Sequence, residues 1–109
     1  REECAAAGLE LAASLWRFWN IHGHFAEGRE QLRRALDRTS GWITPHRARA
    51  LNGLGILTLL QGDLRAAALA LEESLALSRE MGDPALMSGA LGNLGLVAHE
   101  QGDYETARR

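Results

Sequence analysis

Apolar residues recur at helical spacing along nearly the whole chain, and short glycine-bearing stretches interrupt them at regular intervals. The interruptions fall at Gly23-His24, across Thr39-Ser40-Gly41-Trp42-Ile43-Thr44-Pro45, at Gly62-Asp63, at Gly82-Asp83-Pro84 and at Gly102-Asp103. Between them the pattern predicts six helices, at about residues 2–22, 25–38, 45–61, 64–81, 84–101 and 103–109, the last one cut off. Two starts are chemically defined. Thr44 before Pro45 and Asp83 before Pro84 each put a side-chain oxygen at the N-cap and a proline, which has no N–H to satisfy, at the first helical position. Asp63 and Asp103 are candidate caps for the helices that follow them.

The helices repeat. At an offset of 40, Leu51/Leu91, Leu54/Leu94, Gly55/Gly95, Gln61/Gln101, Gly62/Gly102, Asp63/Asp103 and Ala67/Ala107 coincide, seven of 19 aligned positions where chance gives about one or two. An earlier copy aligns at an offset of 39, with Ala12, Leu15, Gly23, Phe25 and Leu32 falling on Leu51, Leu54, Gly62, Leu64 and Leu71. The units are three antiparallel hairpins, at about 2–38, 45–81 and 84–109, within a single domain over 1–109, the third incomplete. Because the pattern begins inside one helix and stops seven residues into another, the chain reads as an excerpt of a longer protein.

In each first helix Leu51, Leu54, Gly55 and Thr58 mark one stripe. A glycine inside a helix costs about 1 kcal/mol relative to alanine, so Gly55 and Gly95 are expected where the returning helix comes close. In the fourth helix the polar residues Arg65, Glu72, Glu73, Arg79 and Glu80 make one narrow stripe, and almost everything else from Leu64 to Leu77 is alanine or leucine. So little polar surface predicts packing on more than one side, as when hairpins stack into a solenoid.

Composition narrows the chemistry. Alanine and leucine make up 37 of 109 residues, against eight valines, isoleucines and threonines together, which excludes a sheet-based core. Twelve basic and 14 acidic residues give a net charge of -2, with no clustered positive face of the kind nucleic acid requires. Every basic residue is arginine, which removes P-loop, Schiff-base and Ser-x-x-Lys chemistry from the chain itself. Cys4 stands alone and is expected as a small buried hydrophobe, without a disulfide or a thiolate metal cage. His22 and His24 diverge on a helix and have no ligand partners at zinc-site spacing. Glycines 89, 92 and 95 follow no strand and complete no dinucleotide fingerprint, and Glu72-Glu73 reads as solvated surface. Neither a cofactor nor a catalytic set is expected. No apolar run is long enough to span a membrane, and no targeting segment is visible, so a cytoplasmic setting is expected.

Leu51-x2-Leu54-Gly55-x2-Thr58 with Gly62, Ala67 and Leu71, and Leu91-x2-Leu94-Gly95-x2-Ala98 with Gly102 and Ala107, resemble the tetratricopeptide-repeat (TPR) pattern W-x2-L-G-x2-Y followed by alanine and a large apolar residue. The resemblance covers 45–109 closely and 9–38 loosely. Small residues replace the family tyrosine at Thr58 and Ala98, the period is 40 rather than 34, and Trp16 stands at the position of Gly55. It implies an all-α, right-handed superhelix of antiparallel hairpins whose first helices line a concave groove for a protein or peptide. Carried onto this chain, that groove would present Arg17 and Asn20 with Ala13 from the first unit, Arg49, Asn52, Ile56 and Leu59 from the second, and Asn93, Leu96 and His99 with Gly92 from the third. Asn93 falls where many family members hold an asparagine that bonds the ligand backbone, while Gly53 sits there one repeat earlier. Arg17 and Arg49 are suited to an acidic group. The alternative is that these are solvated positions of a spacer.

A narrower resemblance is to the repeat array of large bacterial ATP-binding transcriptional regulators of the LuxR- and AfsR-like kind, carried by Leu15-Trp16-Arg17-Phe18-Trp19 with Gly23-His24-Phe25-x2-Gly28-Arg29 and by Leu71-Glu72-Glu73-Ser74-Leu75-Ala76-Leu77. It implies a sensing or docking scaffold without catalysis. A stand-alone TPR peptide-binding adaptor and a structural arm of an enzyme are the alternatives. Uncovered apolar faces at the ends of the array also predict self-association. Trp16, Phe18 and Trp19 read as core, with Phe18 the most exposed of them, and Trp42 as a cap over the seam between units.

Overall fold

The computed structural model describes the backbone of residues 2–21 and 24–108 and, within these, the side chains of 3–13 and 24–103. Its helices are α1 (Glu2–Ile21), α2 (Phe25–Arg38), α3 (Pro45–Leu60), α4 (Leu64–Met81) and α5 (Pro84–Arg108), and no strand occurs among the described residues. Each start uses the chemistry legible in the sequence. Thr44 Oγ1 accepts from the Arg47 N–H, Asp63 Oδ1 from Ala66 and Asp83 Oδ1 from Leu86, each at 3.2 Å, which satisfies backbone donors that have no partner inside the helix. Gly62 after α3 and Gly82 after α4 take the left-handed conformation (φ 84° and 65°) that a side chain disfavours and that turns the chain back.

The helices form two layers. α3 is central and touches all four others, with α1 and α5 on either side of it in one layer, while α2 and α4 pack behind. α4 also packs on α5, but α2 and α4 do not touch each other. One core cluster joins Leu9, Ala12 and Ala13 of α1 to Leu32, Ala35 and Leu36 of α2 and to Ala50, Leu51 and Leu57 of α3, with Trp42 half-buried against it from the intervening loop. A second joins Ala67 and Leu71 of α4 to Val97 of α5. Leu32 and Leu71, at equivalent places in the first two units, are both fully buried. Each contributes on the order of 1.5–3 kcal/mol through that burial.

Gly55 is where the sequence places a close approach. A Cβ there would lie 2.5 Å from Cγ of Leu71, so the α3–α4 hairpin closes at this distance only because the side chain is missing. The third unit departs from the expected pattern. α5 runs without a break through Gln101-Gly102-Asp103, so over the described residues the fifth and sixth predicted helices are one. Asp103 caps nothing and instead lies 3.4 Å from Nε2 of His99 one turn earlier. Gly95 is consequently exposed, with nothing within 4 Å of an added Cβ.

The two Gln-Gly-Asp segments differ in their surroundings. Arg29 on α2 donates to Gln61 Oε1 at 3.1 Å and to Asp63 Oδ2 at 3.0 Å, holding the α3–α4 turn from the preceding unit. By the offset of 39, the residue corresponding to Arg29 on α4 is Ala68, whose methyl holds no turn. α5 continues through Gly102, a glycine inside a helix that costs about 1 kcal/mol relative to alanine.

One further expectation is corrected. Cys4 is exposed: it stands five residues before the buried Leu9, which puts it about 140° round α1 from the packed face. α4 is packed on both α3 and α5, as its sparse polar surface predicts, and it is open toward α2, where Leu69 keeps 59% of its surface exposed. The polar stripe of Arg65, Glu72, Glu73, Arg79 and Glu80 is exposed as expected.

Candidate functional site

The layer of α1, α3 and α5 offers one continuous face, and the gap between α2 and α4 lies on the other side. On α3, Arg49, Asn52, Ile56 and Leu59 lie on one flank of the helix, roughly 150° from Leu51, Leu54 and Thr58, which face the opposite way. Arg49 is exposed, with its guanidinium 3.5 Å from Nδ1 of His46. Asn52 and Ile56 are half-buried. Leu59 is half-buried against the Ala67–Leu71–Val97 cluster, so its contact is partly with α4 and α5. Arg17 and Asn20 have side chains outside the described residues, as do Trp16, Phe18 and Trp19, and Ala13 is buried in the core.

The structure brings two of the candidate residues together. Asn93 Nδ2 of α5 donates to Asn52 Oδ1 of α3 at 2.9 Å, joining adjacent units across the candidate face. Gly89 lies on the same side, with Asn52 Nδ2 3.9 Å from where its Cβ would be. Leu96 is exposed, and so is His99 beside Asp103. The resulting surface has two half-buried amides at its middle, aliphatic Ile56 and Leu96 near them, and Arg49 and His99 toward opposite ends of their helices.

Sequence reading missed a polar group of a different kind. Arg47 is 6% exposed, and its Nη1 donates to Leu36 O, Thr39 O and Thr39 Oγ1, each at 2.8 Å, while Nη2 donates to Glu73 Oε2 at 3.1 Å. One guanidinium thereby satisfies the carbonyls at the end of α2 and ties them to α4. Its signal was present: Arg47 shares the helical phase of Leu51, Leu54 and Thr58, which places it on the apolar stripe. Glu73, read as solvated surface, is half-exposed and is its partner. Ser74 Oγ donates to Ala48 O at 2.9 Å and adds a second buried polar tie between α3 and α4.

Between α2 and α4 lies an open hollow of about 550 Å³, floored by Leu51, Leu54 and Thr58 and walled by Leu36 and Asp37 on one side and Leu69 on the other. It shares no residue with the candidate face.

Asp63 is the site of one clear electrostatic effect. Its hydrogen bond from the Ala66 backbone, and next the Arg29 guanidinium, hold its carboxyl below the ordinary value of 3.8, with Arg33 adding to the positive surroundings. Among the described residues no helix is long and apolar enough to cross a membrane.

Comparison with known families accounts for the repeat. A family model described as Tetratricopeptide repeat matches residues 22–84 and again 61–109, two matches whose starts are 39 residues apart (22 and 61). Comparisons with curated proteins and with solved structures gave no match. Repeats of this family generally mediate protein–protein interaction. With its all-α stacked hairpins and with matches spanning everything from residue 22 onward, the chain belongs to the tetratricopeptide-repeat family.

Proposed function

We propose that this chain is a scaffold without catalytic activity that holds a partner polypeptide on the face shared by α1, α3 and α5. The observation that carries the reading is the Asn52–Asn93 pair. Their mutual bond uses one N–H and one carbonyl lone pair, so each amide keeps donor and acceptor capacity on a half-buried surface. A polypeptide backbone presents the complementary groups. Ile56 and Leu96 supply apolar contact beside the amides, and Arg49 supplies a cation for an acidic side chain or carboxylate. The partner is held by shape, backbone hydrogen bonds and a few anchored side chains.

The wider role we propose is the sensing or docking part of a bacterial ATP-binding transcriptional regulator. It is supported by the resemblance of the Leu15–Trp19 segment, with Gly23-His24-Phe25, to the opening of such arrays.

Selection of peptides on the immobilised chain tests the first statement. Selected peptides should bind the wild type and weaken about tenfold or more with Asn93→Ala or Asn52→Ala, while Glu72→Gln on the far layer leaves them unchanged. Binding indifferent to both asparagines would refute the placement. The reading frame around the chain tests the second statement: an upstream P-loop with its lysine is expected, and a catalytic domain beside the repeats would replace the regulator with an enzyme arm.

A further inference from the structure

The hollow of about 550 Å³ between α2 and α4, two helices that do not touch, has an apolar wall that the repeat itself does not call for. On α4 the flank that walls it carries Ala66, Leu69 and Ala70, and Leu69 is 59% exposed. By the offset of 39, the same flank of α2 carries Glu27, Glu30 and Gln31, all of them exposed. One unit keeps this flank polar, and the next turns it apolar where it faces the hollow. Leu51 and the half-buried Leu54 continue the apolar surface as the floor. The volume falls within the range of roughly 300–1,000 Å³ that small-molecule sites occupy.

The rim of the hollow carries two charges that the fold does not use. Arg33 and Asp37 stand one turn apart on α2, both exposed and both lining the hollow, with their Cβ atoms about 5–6 Å apart as this spacing requires. Among the described residues neither side chain forms an ion pair or hydrogen bond, with the other or with a third group, and Arg33 acts on Asp63 only as a nearby charge. The charges deeper in the hollow are already matched, since Arg47 donates to the carbonyls at the end of α2 and Glu73 on the opposite wall accepts from it. A cation and an anion therefore stand side by side at one lip of an apolar interior. Their complement is a head group that carries a carboxylate and an ammonium together, joined to an apolar body.

We propose that the hollow between α2 and α4 binds a free α-amino acid with a large apolar side chain. Its carboxylate accepts from the Arg33 guanidinium, its ammonium donates to Asp37, and its side chain lies on Leu51 and Leu54 against Leu69. Because both charges sit together at one lip, they suit a single small zwitterion better than a helix laid along the hollow. A bound amino acid touches the second helices of two units that otherwise do not meet, and so ties α2 to α4. The hollow shares no residue with the face proposed to hold a polypeptide, and its failure would leave that reading standing.

The probe is L-phenylalanine, titrated calorimetrically into the full chain beside phenethylamine, which lacks the carboxylate, and 3-phenylpropanoate, which lacks the ammonium. Saturable binding of L-phenylalanine is expected, about tenfold or more tighter than that of either analogue. Arg33→Gln should bring L-phenylalanine down to the level of phenethylamine, Asp37→Asn should bring it down to the level of 3-phenylpropanoate, and Leu69→Glu should weaken all three. These variants change exposed side chains, so an unchanged melting temperature confirms that they fold. No saturable binding of L-phenylalanine would overturn the proposal, and so would binding that all three variants leave intact. An analogue that binds as tightly as L-phenylalanine would give the hollow to a simple amine or carboxylate instead, and N-acetyl-phenylalanine amide binding as tightly would give it to a polypeptide.

Discussion

Nη2 of Arg29 lies 3.0 Å from Oδ2 of Asp63, and through this contact the second helix of one hairpin holds the turn of the next. The carboxylate does two things at once, capping α4 through Ala66 and accepting from the arginine. Unit-to-unit attachment in this array is therefore partly polar, and it falls at a position where the sequence already repeats as Gln-Gly-Asp.

Acid should expose that contact. Because the folded carboxyl titrates below its unfolded value, the stability that Asp63 supplies is complete above about pH 4 and is lost as the pH falls through the lowered folded value. Asp63→Asn keeps a capping oxygen but removes the charge. Its urea midpoint, followed between about pH 2 and 6, should fall less steeply on the acid side than that of the wild type; parallel curves would show that neither the Ala66 N–H nor Arg29 favours the ionised carboxylate.

The two equivalent glycines should respond in opposite directions. Gly55→Ala puts a methyl 2.5 Å from Cγ of Leu71, which is 0% exposed, so the leucine or the helices must shift, and should cost about 1–3 kcal/mol. Gly95→Ala meets nothing and removes a flexible residue from a helix interior, and should stabilise by about 0.5–1 kcal/mol. Urea unfolding of the two variants decides it, and a loss at Gly95 comparable to that at Gly55 would mean that a helix does cover α5.

Arg47 and Glu73 should be unequal partners. Arg47→Met removes a buried charged donor from Leu36 O and Thr39 O, which keep the bonds from the Thr39 and Trp42 N–H groups, and should cost about 1–3 kcal/mol. Glu73→Gln removes a half-exposed acceptor and should cost less than about 1 kcal/mol. Equal losses, measured by thermal or urea unfolding, would contradict the assignment of Arg47 chiefly to the α2 carbonyls.

The limits of the sequence show at particular residues. Thr44, Asp63 and Asp83 were readable as helix starts because a cap and its N–H are three residues apart, and Gly55 was readable because its cost inside a helix needs an external cause. Gln101-Gly102-Asp103 repeats Gln61-Gly62-Asp63 letter for letter and yet stays helical. The first turn is held by Arg29, more than thirty residues before it, while Ala68 stands in the corresponding place for the second. Leu69 is open because α2 and α4 stand apart, which the composition of α4 alone does not show.

By itself the sequence determined the first four helices, the caps at Thr44, Asp63 and Asp83, the forty-residue repeat and the close approach at Gly55, which follow from local hydrogen bonding and the 3.6-residue period. Tertiary structure alone decided that Asn93 meets Asn52, that Arg47 is buried on Glu73 and the end of α2, and that α5 runs straight and leaves Gly95 uncovered. Each of those outcomes depends on a partner, present or missing, on another helix, and the local period of a chain does not carry that distance.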